Sequence, residues 1–153
     1  MTRGIQAEIK QTKPFSSLEE EASLALQRTA DEIHWRFAEM LKPHGISPTQ
    51  YNALRILRGA GQQGLPCREI GERMINRDPD ITRLLHRLQY RKYVARGRGP
   101  KDRRVVLARI TPAGLELLEK LDRPVENFHR ELLGHMGESP LQMLIGLLDL
   151  ARG

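Results

Sequence analysis

Asp78-Pro79-Asp80-Ile81-Thr82-Arg83-Leu84-Leu85-His86-Arg87-Leu88 is the stretch that decides the fold. Ile81, Leu84, Leu85 and Leu88 recur at three- and four-residue spacing, which makes one apolar stripe of an amphipathic helix. Asp80, Thr82, Arg83, His86, Arg87 and Arg91 fall on the opposite face. Asp78 reads as the N-cap, with Pro79 at the first helical position, where its missing N–H goes unused. Just upstream, Cys67, Ile70 and Met74 share one face of a shorter helix, and residues 75–78 read as a turn. A short helix, a turn and a second helix with a basic outer face make a helix-turn-helix. In that motif the second helix enters the major groove of DNA, which is about 12 Å wide and admits one helix.

Downstream, residues 93–98 and 104–110 alternate as two strands around Gly99-Pro100-Lys101-Asp102, a tight turn. Val106, Ala108 and Ile110 point to one face of the return strand, and Val105, Leu107 and Arg109 to the other. Arg96, Arg98, Lys101, Arg103 and Arg104 crowd this hairpin. Basic side chains at a hairpin tip suit a narrow minor groove, whose negative potential attracts arginine. Asp102 interrupts the run and is expected to pair with a neighbour such as Arg104, aiming it.

Working outward, Ser17 and Glu20 form a capping-box pattern that opens a long helix carrying Leu26, Ala30, Ile33, Phe37 and Met40 as a seam. Pro43 and Gly45 end it. Ser47-Pro48-Thr49-Gln50 is a second capping box, opening a helix with Leu54 and Leu57 inward, and residues 59–64 form a loop. After the hairpin, Thr111-Pro112 caps a helix whose Leu115, Leu118, Val125, Phe128 and Leu132 keep near-heptad spacing, with Pro124 expected to kink it. Ser139-Pro140-Leu141-Gln142 reads as a third capping box for a last helix with Leu141, Leu144, Ile145 and Leu148 on its stripe. Residues 1–15 are polar and aperiodic, a lead-in arm. The expected architecture is mainly α with a small β-hairpin wing: four helices, two strands, two helices.

The 153 residues carry net charge +6, unevenly spread. Residues 77–109 hold eleven basic and three acidic side chains, net +8, which leaves the remainder at −2. A basic block confined to the helix-turn-helix and hairpin points to a polyanion. No apolar run approaches a membrane span, no signal-peptide pattern opens the chain, and the single Cys67 has no intramolecular partner. The expectation is a cytoplasmic protein with no membrane association. There is no Gly-rich phosphate loop, nucleophile motif or acid–base pair, so an enzyme is not expected, and no cofactor or metal. Scarce aromatics and a recognition helix too broad for A-form grooves argue against RNA.

Residues 78–88, then Asp102-Arg103-Arg104, then Ile110-Thr111-Pro112-Ala113-Gly114 together resemble the MarR family of winged helix-turn-helix transcription regulators. The family pattern is Asp-x-Arg in the wing followed by Thr-x-x-Gly at the next helix, matched by Asp102, Arg104, Thr111 and Gly114. The resemblance runs from about Leu18 to the C-terminus. It departs at Lys92, where many members carry a glycine as helix cap. It implies an arm over residues 1–16, a dimerisation lobe from 17–45 and 112–153, and a DNA-binding lobe over 46–111. It also implies a homodimer on a palindromic double-stranded operator, with each wing in a flanking minor groove. The candidate DNA-binding residues are Arg68, Pro79, Asp80, Thr82, Arg83, Arg87, Arg98, Lys101, Asp102, Arg103 and Arg104. For Asp80, a helix-end role ranks ahead of a cytosine contact. Many relatives bind aromatic ligands between the lobes, for which His34, Trp35 and Tyr51 are candidates here. Phe37 and Cys67 read as core, Cys67 not as a redox sensor. The function expected is a ligand-responsive dimeric repressor; the alternative is an effector-independent architectural or constitutive DNA-binding protein.

Overall fold

A computed structural model describes residues 4–77 and 80–153. In chain order the elements are α1 (Ile5–Glu8), α2 (Leu18–Leu41), α3 (Pro48–Ala60), β1 (Leu65–Pro66), α4 (Cys67–Arg73), α5 (Ile81–Tyr90), β2 (Val94–Arg98), β3 (Val106–Ile110), α6 (Pro112–Leu133) and α7 (Glu138–Arg152). The order matches the sequence reading, with two additions. The arm contains the one-turn helix α1, and residues 65–66 form a strand. β1 pairs antiparallel with β3, so the hairpin becomes a three-stranded sheet of order β1-β3-β2.

The core gathers around α3. Leu54 and Leu57 meet Leu41 from α2, Ile70 from α4, Leu85 and Leu88 from α5, Val94 from β2, and Leu118 and Leu121 from α6. All nine are buried, and burying each such side chain is worth about 1.5–3 kcal/mol. The stripe read in residues 81–88 is therefore the surface that fixes α5 to the body.

Helix starts follow the sequence in two places and depart from it in three. Ser47 and Gln50 complete the expected box: Ser47 Oγ accepts the Gln50 N–H at 3.1 Å, and Gln50 Oε1 accepts the Ser47 N–H at 3.0 Å. Thr111 caps α6 as read, accepting the Gly114 N–H at 3.1 Å. At α2, Ser17 accepts the Glu20 N–H, but the Glu20 carboxylate turns to Ser16, taking its N–H and its hydroxyl at 2.6 Å each. Those bonds hold the Glu20 carboxyl below its ordinary value. α5 is capped by Asp80, whose carboxylate accepts the Arg83 N–H at 2.9 Å. The cap assigned to Asp78, and Pro79 after it, lie outside the described residues. The third box does not form. α7 begins two residues earlier at Glu138, behind Gly137, and Gln142 instead donates to Glu138 Oε1. Pro140 is then the third helical residue, still among those whose N–H has no intrahelical acceptor. α6 runs on through Pro124 as one element.

The Lys92 departure is resolved by a left-handed backbone. Lys92 sits at φ 66°. Its N–H donates to Gln89 O at 2.9 Å, and the Tyr93 N–H donates to Leu88 O at 3.0 Å. This pair of bonds is the Schellman closure usually built on glycine. Thr111 ties it down, because its hydroxyl donates to Lys92 O at 2.7 Å. Gly114 packs into the same corner, where a Cβ would stand 2.6 Å from Tyr93 O. The Thr-x-x-Gly pattern thus joins the end of α5 to the start of α6.

Candidate nucleic-acid interface

α5 presents Thr82, Arg83, His86 and Arg87 to solvent while Leu84, Leu85 and Leu88 are buried beneath them. Arg83 and Arg87 line a groove with Asp80, closed opposite by Ser47, Thr49 and Gln50 at the N-terminus of α3. Neither arginine is in an ion pair among the described residues, and both are exposed. Asp80 holds the end of α5, the role favoured from sequence. Thr82 Oγ1 lies 3.7 Å from Cys67 Sγ, which ties α4 to α5. Cys67 is half-buried against the core rather than displayed. Arg68 is exposed on α4 and pairs with Glu72 at 3.1 Å.

Both strands of the wing start later than read, β2 by one residue at Val94 and the return strand by two. Arg104 and Val105 belong to the connecting loop, and the return strand starts at Val106. The cause is Asp102. Its Oδ1 accepts the Arg104 backbone N–H at 3.0 Å, an Asx turn that prolongs the loop, and the Gly99 N–H then closes onto Val105 O at 2.8 Å. The same carboxylate receives Arg104 Nε at 3.2 Å and Nη2 at 3.3 Å. The Arg104 side chain is 92% exposed, so the pair aims a guanidinium outward from the tip. The Arg104 side chain, then its backbone N–H, holds the Asp102 carboxyl below its ordinary value. Arg98 donates to Arg103 O at 3.4 Å across the loop, while Lys101 and Arg103 are exposed.

Two features went unread in the sequence. Arg96 Nε donates to Gln89 Oε1 at 2.7 Å, which bolts the wing to α5. Arg91 Nη1 donates to Gly45 O, and its guanidinium lies 5.1 Å from the Tyr93 ring centroid, joining the end of α5 to the end of α2. Both rest on contacts between elements far apart in sequence or between strand and helix, for which periodicity gives no signal.

A second region is a cavity of about 700 Å³ among α2, α3, α6 and the segment after α4. Phe37, Phe128, Ile33 and Val125 supply apolar wall, and His34, Tyr51 and Arg55 polar wall. His34 and Tyr51, candidates from the sequence, both line this cavity. Trp35 does not line the cavity; it is 60% exposed, because it is one residue round the helix from His34. Phe37, read as core, serves both: it meets Tyr51 edge-on at 5.4 Å and Phe128 at 5.1 Å between ring centroids while forming cavity wall. Burial pushes the Tyr51 phenol above its ordinary value, so it stays a neutral hydroxyl at physiological pH. Among the described residues no His/Cys/Asp/Glu group could hold a metal, and no helix is long and apolar enough to cross a membrane.

A sequence model described as MarR family matches residues 44–105. The chain is 30% identical to the multiple antibiotic resistance protein MarR of Salmonella typhimurium over 71% of this chain and 74% of that protein. It is 42% identical to a MarR transcription factor from Planctomyces limnophilus of known structure, covering 90% of this chain and 99% of that one at a TM-score of 0.68. An E. coli MarR mutant solved in complex with operator DNA shares the fold, at 24% identity over 89% of this chain and 99% of that one, with a TM-score of 0.78.

Proposed function

The chain belongs to the MarR family of winged helix-turn-helix transcription regulators, and we propose that it works as a ligand-responsive dimeric repressor of a palindromic operator. The observation that carries this reading is α5: a helix pinned by three buried leucines, with Thr82, Arg83 and Arg87 outward beside the N-terminus of α3. Arginine bridges guanine O6 and N7, threonine meets a thymine methyl, and the α3 N-terminus favours a backbone phosphate. The wing adds a minor-groove arm through Arg104, aimed by Asp102, with Arg98, Lys101 and Arg103 alongside. Arg68 and Pro79 complete the candidate contacts from sequence, Pro79 lying outside the described residues.

The terminal helices support a dimer. α7 has no buried residue, and Met143, Ile145, Leu147 and Leu150 are 56–77% exposed. Leu18 and Leu26 are exposed on α2 as well. A two-fold copy covering these faces places two recognition helices about one DNA turn apart, roughly 10 bp between half-sites. The cavity supports a small aromatic effector, since about 300–1,000 Å³ with mostly apolar walls suits a small ligand.

The test is selection of duplexes from a random pool, followed by titration at fixed salt. A palindromic consensus is expected, and Arg83→Ala should lose about 1–3 kcal/mol on it while binding random DNA nearly as before. Equal weakening on both DNAs makes Arg83 a phosphate contact, and failure to select any consensus defeats the sequence-specific reading.

A further inference from the structure

Arg96 stands at the seam between the wing and α5. It pairs with Ala108 across the sheet, so it shares a face with Ala108 and with Val94 two residues before it. Val94 and Ala108 are buried, and Arg96 carries that face outward to a half-buried position. There its Nε donates to Gln89 Oε1 at 2.7 Å. The Gln89 backbone is pinned as well, because its carbonyl accepts the Lys92 N–H at 2.9 Å. The guanidinium therefore has its root on a strand and its brace on a helix.

The chemistry of this pair is one-sided. Arginine has only donors, so the amide turns Oε1 towards it, and Gln89 Nε2 joins the two Arg96 Nη groups in a surface of donors. Arg96 is in no ion pair among the described residues, although it is half-buried. A partly desolvated charge is ordinarily paired. Braced by a neutral amide, the guanidinium keeps its whole charge, which a carboxylate in place of Gln89 would cancel. Bracing the wing does not require that charge; holding an anion does.

The position decides which anion. With α5 in the major groove and the wing tip in the adjoining minor groove, the sugar-phosphate strand dividing the two grooves must cross between them. That crossing lies over the seam. We propose that Arg96, oriented by Gln89, forks onto a phosphate of this dividing strand and clamps the DNA between the two reading elements. Arg98, next along the same face, is turned to the wing loop, where it donates to Arg103 O. The inference rests on the reading of α5 and the wing as DNA-binding elements. It deepens that reading by naming a residue that fixes register without reading sequence.

The experiment uses the full-length chain and the consensus duplex selected from the random pool, with phosphates replaced one at a time by uncharged methylphosphonates. Wild type should lose about tenfold in affinity when the replacement falls between the core of a half-site and its flank. Arg96→Met should bind the unmodified duplex about tenfold more weakly and lose nothing further from that replacement. Its slope of log affinity against log salt should be shallower by about 0.9 for each Arg96 removed. A·T-rich flanks should still be preferred, because Asp102 aims Arg104 within the wing loop. Gln89→Ala keeps the charge and removes the brace. It should weaken binding about threefold and dull the response at that phosphate, and it carries the test if Arg96→Met fails to fold. A variant that responds to the replacement as wild type does, or loses flank preference with its salt slope unchanged, makes Arg96 a brace only. So does a wild type insensitive between core and flank. Each overturns the clamp and leaves the DNA reading standing. Failure to select any duplex overturns the DNA reading itself, and this inference with it.

Discussion

The middle of the chain and its two ends solve the burial problem differently. From Ile46 to Ala108, thirteen apolar side chains, all but Ile46 in α3, α4, α5 and the sheet, are buried within the single chain. In α7 none is, although Met143, Ile145, Leu147 and Leu150 are as apolar as anything in the core. Hydrophobicity alone therefore does not say where the core will be. The middle packs on itself because α3 offers apolar residues to several neighbours at once. α7 leads away from the core, so its apolar faces stay exposed in the single chain, and the proposed dimer would cover them. The contrast separates a region whose burial is complete within the chain from one whose burial is left to the proposed association.

The largest expected effect breaks this contrast at the ends. Ile145→Asp puts a charge on a face proposed to be buried twice in a two-fold dimer. It should weaken dimerisation by at least tenfold, about 1.4 kcal/mol, while the circular dichroism of α3–α5 is unchanged. Sedimentation at micromolar concentration reads it, and an undisturbed dimer would show that α7 faces solvent in the assembly too.

A smaller effect sharpens the contrast within the middle. Arg104→Ala removes a side chain that contributes nothing to the core, so stability should hold while affinity for A·T-rich flanks falls roughly fivefold or more, the low end of one mismatched base pair. G·C-rich flanks should lose less. Asp102→Ala should give a milder version, leaving the arginine unaimed. Because the Asp102 carboxyl lies below its ordinary value of 3.8, its pairing is present above that value and lost only as pH falls through the lowered one. Flank discrimination should therefore be flat from pH 8 to pH 5, and a change across that range would mean another group controls the wing.

The smallest effect concerns Lys92. A non-glycine residue at φ 66° carries about 1 kcal/mol of strain. Lys92→Gly should relieve part of it, offset by a more flexible unfolded chain, and raise Tm by about 1–3 °C. A fall in Tm would show that the lysine side chain contributes more at the helix end than its backbone loses.

What was legible in the sequence was whatever repeats or caps locally. The stripe Leu84, Leu85, Leu88 located α5 and its buried face, and Asp102 beside Arg104 foretold the ion pair at the wing tip. The strand Leu65–Pro66 was not legible, because two residues have no period and its partner β3 lies forty residues on. The box at Ser139 misled because the same four residue types also fit the first turn of a helix already begun. The bond from Arg96 to Gln89 could not be found from sequence at all: a strand residue and a helix residue meet there only once the end of α5 is placed against β2.

The corner where Thr111 grips Lys92 and Gly114 lies against Tyr93 has a mechanical consequence. It joins the last turn of α5 to the first turn of α6, so at this corner the direction of one helix sets that of the other. α6 spans 22 residues, about 33 Å at 1.5 Å per residue, and Leu118, Leu121 and Val125 along it are buried in the core. The outward face of α5 is thus hung from a beam already anchored along its length.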